Sequence, residues 1–143
     1  MRTLLTAPQG TSAASSRAGT DVTVVASLIM LHRALAAAEA LAAEGVSVEV
    51  VDPRTLVPLD GETIVDSVRK MGRLLVVDEA YLTCGIQAEV IALVTERAFG
   101  ALRTAPRRLG NPGVPVPFSP PLEAAVLPGP TEIAAAIRDM LAG

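Results

Sequence analysis

The 143-residue sequence predicts an α/β fold, a three-layer α/β/α sandwich around a mostly parallel sheet of four or five strands. Three observations carry that prediction. The runs "VTVVAS" (22–27), "SVEVV" (47–51) and "LLVVD" (74–78) are short, β-branched and continuously apolar, the pattern of strands covered on both faces. Between them lie stretches with apolar residues at helical spacing, so each passage reads as a βαβ unit, which is parallel. Half the residues are apolar and 19% are charged, a composition that folds, and the length suits one domain.

Residues 1–19 are rich in Ser, Thr, Ala and Gly without periodicity, and are expected to form a flexible N-terminal arm or linker, with the domain at 20–143. After the first strand, Leu31, Ala34, Leu35, Ala38, Leu41 and Ala42 mark one face of a helix that Gly45 is placed to end. Asp60 can cap a second helix with Ile64, Val65, Val68 and Met71 inward and Gly72 as its stop. A third helix spans Gly85 to Phe99 with Ile86, Val90, Leu93 and Val94 on one side, and a last short strand is expected near Arg107 to Leu109. Residues 114–130, "VPVPFSPPLEAAVLPGP", hold six of the eleven prolines. Proline fixes φ and donates no backbone hydrogen bond, so an extended strap is expected there, neither helix nor central strand. Its Val114, Val116, Phe118 and Leu122 argue for burial. A final helix follows, with Thr131 as a cap and Ile133, Ile137, Met140 and Leu141 inward.

A net charge of −3 and three aromatic residues, Tyr81, Phe99 and Phe118, provide neither the basic face nor the stacking platforms that nucleic acid requires. Arg103, Arg107 and Arg108 read as a solvated face. Cys84 is the only cysteine, which excludes an intrachain disulfide, gives a four-ligand zinc site no basis and suits a reducing cytoplasm. No run of about 18 apolar residues and no signal-peptide core occurs, so no membrane partner is expected.

In open parallel sheets, ligands favour the carboxyl ends of the strands, and that edge here carries Ser27, "DPRTLVPLD" (52–60) and "DEAYLTCG" (78–85). Two chemistries are conceivable there. One is a small-ligand site at Ser27, Arg54 and Glu79. The other is a cysteine hydrolase pairing Cys84 with His32, although a thiolate needs a base or cation and none is local in sequence. The plainer reading makes His32 a surface residue at a helix end, Cys84 a small buried turn residue, Gly85 a turn glycine and Asp60 a cap. No dinucleotide, P-loop or zincin motif occurs.

Taken in order, "GTDVTVVAS", "MLHRALAAAEALAAEGVSVEVVDPRTLVPLD", "GRLLVVDEA", "AEVIALVTERAF" and "VPVPFSPPLEAAVLP" resemble the C-terminal, transketolase-like domain of the β subunit of thiamine-diphosphate-dependent 2-oxo acid dehydrogenases, over residues 19 to 142. R-T-L-x-P-L-D at Arg54–Asp60 is shared widely among such domains, and V-P-F-S-P-P-L-E at Val116–Glu123 points to the pyruvate, acetoin or branched-chain type. The sequence departs from the family pattern at Thr83–Gln87, which has fewer glycines, and at Leu28 and Ile29, where a glycine or polar residue is common.

The resemblance implies a noncatalytic assembly domain or separately encoded subunit of such an enzyme, supporting oxidative decarboxylation of a 2-oxo acid by the whole complex. It implies no catalytic, cofactor or metal residue in this chain. Thiamine diphosphate and magnesium would be held by other domains of the assembled enzyme. It makes the proline strap a scaffold element that crosses the domain and leads into the final helix. The expected partners are a second copy of the chain, the thiamine-diphosphate-binding domains or subunits, and an acyltransferase core. Arg54, Phe118, Pro120 and Pro121 are the candidate interface residues. A split subunit, a truncated relic and a piece of a longer β chain all fit the sequence.

Overall fold

The structure, a computed structural model, describes residues 12–143. A five-stranded sheet has the order β1-β3-β2-β4-β5, from β1 (Ala14–Arg17), β2 (Val22–Ala26), β3 (Val48–Asp52), β4 (Leu74–Tyr81) and β5 (Arg107–Asn111). β2 pairs in parallel with β3 and with β4, and β4 with β5, while β1 runs antiparallel on the edge of β3. Helices α1 (Leu28–Ala42) and α5 (Pro130–Ala142) pack on one face, α2 (Gly61–Met71) and α3 (Ile86–Ala98) on the other. The short α4 (Pro120–Val126) has no buried residue and meets the α1/α5 core through Val126 at its end.

The continuous apolar runs become two cores because side chains alternate across a strand. Val22, Val24, Val48, Val50, Leu75 and Val77 meet Leu41, Ile133 and Ile137 of α1 and α5. Val25, Val51, Leu74 and Val76 meet Ile64, Val68, Val90 and Val94 of α2 and α3. The sequence reading of an α/β sandwich is borne out.

Four expectations fail. The arm is not wholly flexible: Ala14–Arg17 is sheet strand, paired with Val50–Asp52. Its polar residues suit an edge strand, whose outer side faces water. The part of the expected arm at 1–11 lies outside the described residues. The strap is not extended throughout, because Pro120 and Pro121 sit in the first turn of α4, where a helix needs no proline N–H. Nor is it buried: Val114, Val116, Phe118 and Leu122 are all exposed. The last helix is capped by Gly129 rather than Thr131, the Gly129 N–H donating to Glu132 Oε2 at 3.0 Å.

Helix α2 ends as its sequence predicts, with Gly72 left-handed at φ 75° and its N–H on Val68 O at 2.7 Å. Asp60 caps its start, accepting from Thr63 N at 3.2 Å and Thr63 Oγ1 at 2.8 Å, and it also accepts Ala13 N at 3.1 Å, tying the approach to β1. Burial pushes the Asp60 carboxyl up. The hydrogen bonds from Thr63, Ala13 and Glu62 override that and hold it below the usual value. A lowered folded-state pKa gives stability that is complete above the unfolded pKa and lost as pH falls through the folded one. Asp60→Ala is expected to cost about 1–2 kcal/mol at neutral pH, with the gap to wild type closing below about pH 4. Urea titrations at several pH values test this, and a constant gap down to strong acid contradicts it.

Candidate functional site

The carboxyl edge of the sheet gathers the turns after β2, β3 and β4. In doubly wound sheets the ligand crevice lies where successive connections leave for opposite faces, here between β2, which feeds α1, and β4, which feeds α3. That crevice is closed. Ser27 Oγ donates to Asp78 Oδ2 at 2.6 Å across it, and Asp78 Oδ1 accepts Ala80 N at 2.8 Å. Pro53, Leu56, Ile86 and Val90 fill the space beneath, leaving about 10 Å³, no more than a single water needs. Ser27, the residue before α1, thus spends its hydroxyl on Asp78 and makes no cap bond.

Behind the edge, Gln87 ties α3 to β4 and packs close to Gly110 of β5. Its side chain is fully buried in the first turn of α3 and donates from Nε2 to Ala80 O at 3.1 Å. The carboxamide lies between two glycines: a Cβ on Gly110 would sit 2.5 Å from Gln87 Nε2, and one on Gly85 would collide with Gln87 Oε1 and Tyr81 O. Nothing in the residue pattern marked Gln87. A glutamine in a helix's first turn usually faces water, and the only signal was its position between a turn glycine and an apolar helix face.

The turns themselves are unusual. Leu28, Arg54 and Cys84 all have positive φ, 51°, 58° and 58°, and none is glycine. Left-handed backbone at a bulky residue costs on the order of 1–3 kcal/mol and persists where the surroundings enforce it, commonly at functional sites. At Arg54 the conformation is supported by Asp52 Oδ1, which accepts Arg54 N at 2.9 Å. Around these turns Leu28 and Val57 are 76% and 93% exposed, beside half-exposed Ile29 and Leu56. An open cleft of about 460 Å³ runs between the turns after β2 and β3, lined by Ser27, Leu28, Leu31, His32, Arg54 and Leu56 among others.

Ser27 and Arg54 therefore share a cleft, while Glu79 is not in its lining. His32 and Cys84 line separate clefts, the latter beside Glu89. Cys84 is exposed, not a buried turn residue. Phe118, Pro120 and Pro121 are exposed, in the segment that follows β5 in the chain. Among the described residues no three His, Cys, Asp or Glu side chains are grouped to hold a metal, and no helix is long and apolar enough to cross a membrane. Arg103, Arg107 and Arg108 are exposed, with Arg107 reaching Asp139 at 3.4 Å and Arg108 donating to Leu82 O.

Comparison with known proteins agrees with this architecture. The chain is 48% identical over 127 residues to the acetoin:2,6-dichlorophenolindophenol oxidoreductase subunit beta of Cupriavidus necator, matching 89% of this chain and 38% of that protein. It is 40% identical to the pyruvate dehydrogenase E1 component subunit beta of Bacillus subtilis and 37% identical to the 2-oxoisovalerate dehydrogenase subunit beta of the same organism, over 87% of this chain and 38% of each. It thus spans about two fifths of the length of these relatives. A solved split-gene transketolase, an inactive β4 tetramer, superposes on 94% of this chain and 43% of its own with a TM-score of 0.80 and 29% identity. The family model described as "Transketolase, C-terminal domain" matches residues 11–133, so the chain belongs to the transketolase C-terminal domain family, among the E1 β-type members that its strap and strand-end motifs resemble.

Proposed function

We propose that this chain is a noncatalytic assembly domain of a thiamine-diphosphate-dependent 2-oxo acid dehydrogenase of the E1 β type, which docks through its carboxyl edge and supports oxidative decarboxylation by the whole complex. One observation carries the reading: where this fold keeps its ligand crevice, Ser27, Asp78, Leu56 and Ile86 close it, and the turns around it present exposed apolar side chains instead. A protein that keeps a ligand between β2 and β4 needs that crevice open. A protein that docks through this edge needs the turns rigid, and the Asp78 and Gln87 bonds hold them.

Thiamine diphosphate does not fit these residues. Its charged diphosphate calls for a metal held by oxygen ligands, and among the described residues no three His, Cys, Asp or Glu side chains are grouped to hold one. Its ring system calls for a deep cleft, whereas the crevice between β2 and β4 offers about 10 Å³ and the neighbouring 460 Å³ cleft is open to solvent. The cofactor and its magnesium belong, on this reading, to other domains of the assembled enzyme. The Arg54 guanidinium, in no ion pair among the described residues, would on this reading meet an acid of a neighbouring domain or copy.

The purified chain is expected to associate at tens of micromolar by light scattering and to co-purify from its native cell with a thiamine-diphosphate-binding chain. Isothermal titration with thiamine diphosphate and magnesium is expected to show no saturable heat. A clean monomer that captures no such chain counts against assembly. One-to-one cofactor binding in the micromolar range overturns the noncatalytic reading.

A further inference from the structure

Next to the closed crevice lies the open cleft of about 460 Å³ between the turns after β2 and β3. Its size is that of a small-molecule site, and its lining has the usual make-up of one, mostly apolar with a few polar groups. Leu28 and Leu31 line it from the α1 side and Leu56 from the turn after β3. Each wall also carries one left-handed residue, Leu28 at φ 51° and Arg54 at 58°, a backbone cost that ligand clamps commonly bear.

The polar groups of the lining decide the ligand. The exposed Arg54 has its guanidinium in no ion pair among the described residues, while its backbone N–H is held at 2.9 Å by Asp52 Oδ1. Asp52 Oδ2 accepts no hydrogen bond among the described residues. One wall therefore offers a positive and a negative group, two residues apart, that form no ion pair with each other. Ser27 also lines the cleft, but its hydroxyl is spent on Asp78, and the remaining polar side chain there is His32, which carries no negative charge. A phosphate-bearing ligand would find a single guanidinium and be repelled by Asp52. A simple carboxylate leaves Asp52 unanswered, and an amine leaves Arg54 unanswered. A zwitterion answers both.

We propose that this cleft binds a free α-amino acid with an apolar side chain, its carboxylate on Arg54, its ammonium on Asp52 Oδ2 and its side chain laid on Leu28, Leu31 and Leu56. Binding covers part of Leu28, which is otherwise 76% exposed. The site goes beyond the assembly reading and does not depend on it. One consequence does rest on that reading: the ligand carboxylate and an acid of a docked partner need the same Arg54, so the amino acid loosens docking. Leucine offers about nine non-hydrogen atoms to a cleft open on one side, which sets the expected dissociation constant at roughly 0.1–1 mM.

The test uses the full chain. Isothermal titration with L-leucine is expected to give saturable one-to-one binding. Binding of 4-methyl-2-oxopentanoate, which lacks the ammonium, and of 3-methylbutylamine, which lacks the carboxylate, is expected to be weaker by roughly tenfold or more. Arg54→Gln should weaken leucine by about the same factor. Asp52→Asn should weaken leucine but not the oxo acid, and it keeps an oxygen for the Arg54 N–H, so circular dichroism and the turn are unchanged. Saturating leucine should lower self-association by light scattering, and unchanged association overturns the competition for Arg54. Oxo acid binding as tight as leucine, in wild type and Asp52→Asn alike, overturns the zwitterion. No saturable heat from leucine, methionine or phenylalanine up to about 10 mM overturns the site and leaves the assembly reading standing. A chain that binds leucine yet stays monomeric supports the site and counts against assembly.

Discussion

Gly110→Ala is expected to destabilise the chain by about 2–4 kcal/mol, combining overpacking with a strained or lost buried hydrogen bond. The added methyl would stand 2.5 Å from Gln87 Nε2, 2.7 Å from Ala80 O and 3.1 Å from Asp78 O. Two of those three atoms are backbone of the neighbouring strand, so they cannot retreat without opening the β4–β5 pairing. The third belongs to a fully buried side chain bonded to Ala80 O of β4, with little room to retreat. The damage should be felt at the docking edge, because the same stretch of β4 carries the Asp78 that bonds Ser27. Adding Gln87→Ala should return only part of the loss, since the Ala80 carbonyl remains. Urea denaturation of the two variants decides it. A Gly110→Ala chain within half a kcal/mol of wild type would show that the strand pair and the Gln87 side chain yield at this point.

Glu49→Ala is expected to cost about 2–3 kcal/mol and to release the edge strand. Glu49 is 8% exposed in the middle of β3, where it accepts Ser15 Oγ from β1 and Ser67 Oγ from α2, both at 3.1 Å. Ser67 in turn shares a 2.8 Å hydrogen bond with buried Thr23 of β2, and the exposed Lys70 brings its Nζ to 3.7 Å from Glu49 Oε2. One carboxylate therefore joins two neighbouring strands and the helix above them. Without it the hydroxyls of Thr23 and Ser67 still satisfy each other, while β1 keeps only its backbone pairing. Hydrogen exchange should accordingly show protection lost across Ala14–Arg17 while β2 and β4 keep theirs. Glu49→Gln retains the two hydroxyl contacts and should cost under about 1 kcal/mol, because the Lys70 pairing is long and wet. Equal losses in the two variants would place the stabilisation in charge rather than in the hydroxyl ties.

Much of the edge was legible in sequence because its determinants are local. Asp60 three residues before Thr63, and Gly72 after an apolar helix face, act within one helical turn, and both do what their spacing implies. Pro53, Arg54 and Pro58 could be seen to make a stiff turn at a strand end. The strap was misjudged because apolar character was equated with burial, which holds only when the same chain supplies the cover. Pro120 and Pro121 were read as helix breakers, whereas in a first turn they are compatible with a helix. Polar Ala14–Arg17 gave no periodic signal, since an edge strand tied partly through Ser15 and Glu49 needs no alternating pattern.

By itself the sequence determined the α/β class, the β2–α1–β3–α2–β4 order, the caps of α2 and the family resemblance. These follow from residue spacing and from motifs carried on contiguous stretches. Only the tertiary structure decided that Ser27 would meet Asp78 across 51 residues, that Gln87 would fill the gap between Gly85 and Gly110, and that the crevice would close. It alone left Phe118 bare. The physical reason is range: backbone propensity and capping act over a few residues, whereas closing a crevice or covering a ring depends on which distant side chains the folded sheet brings within a few ångströms.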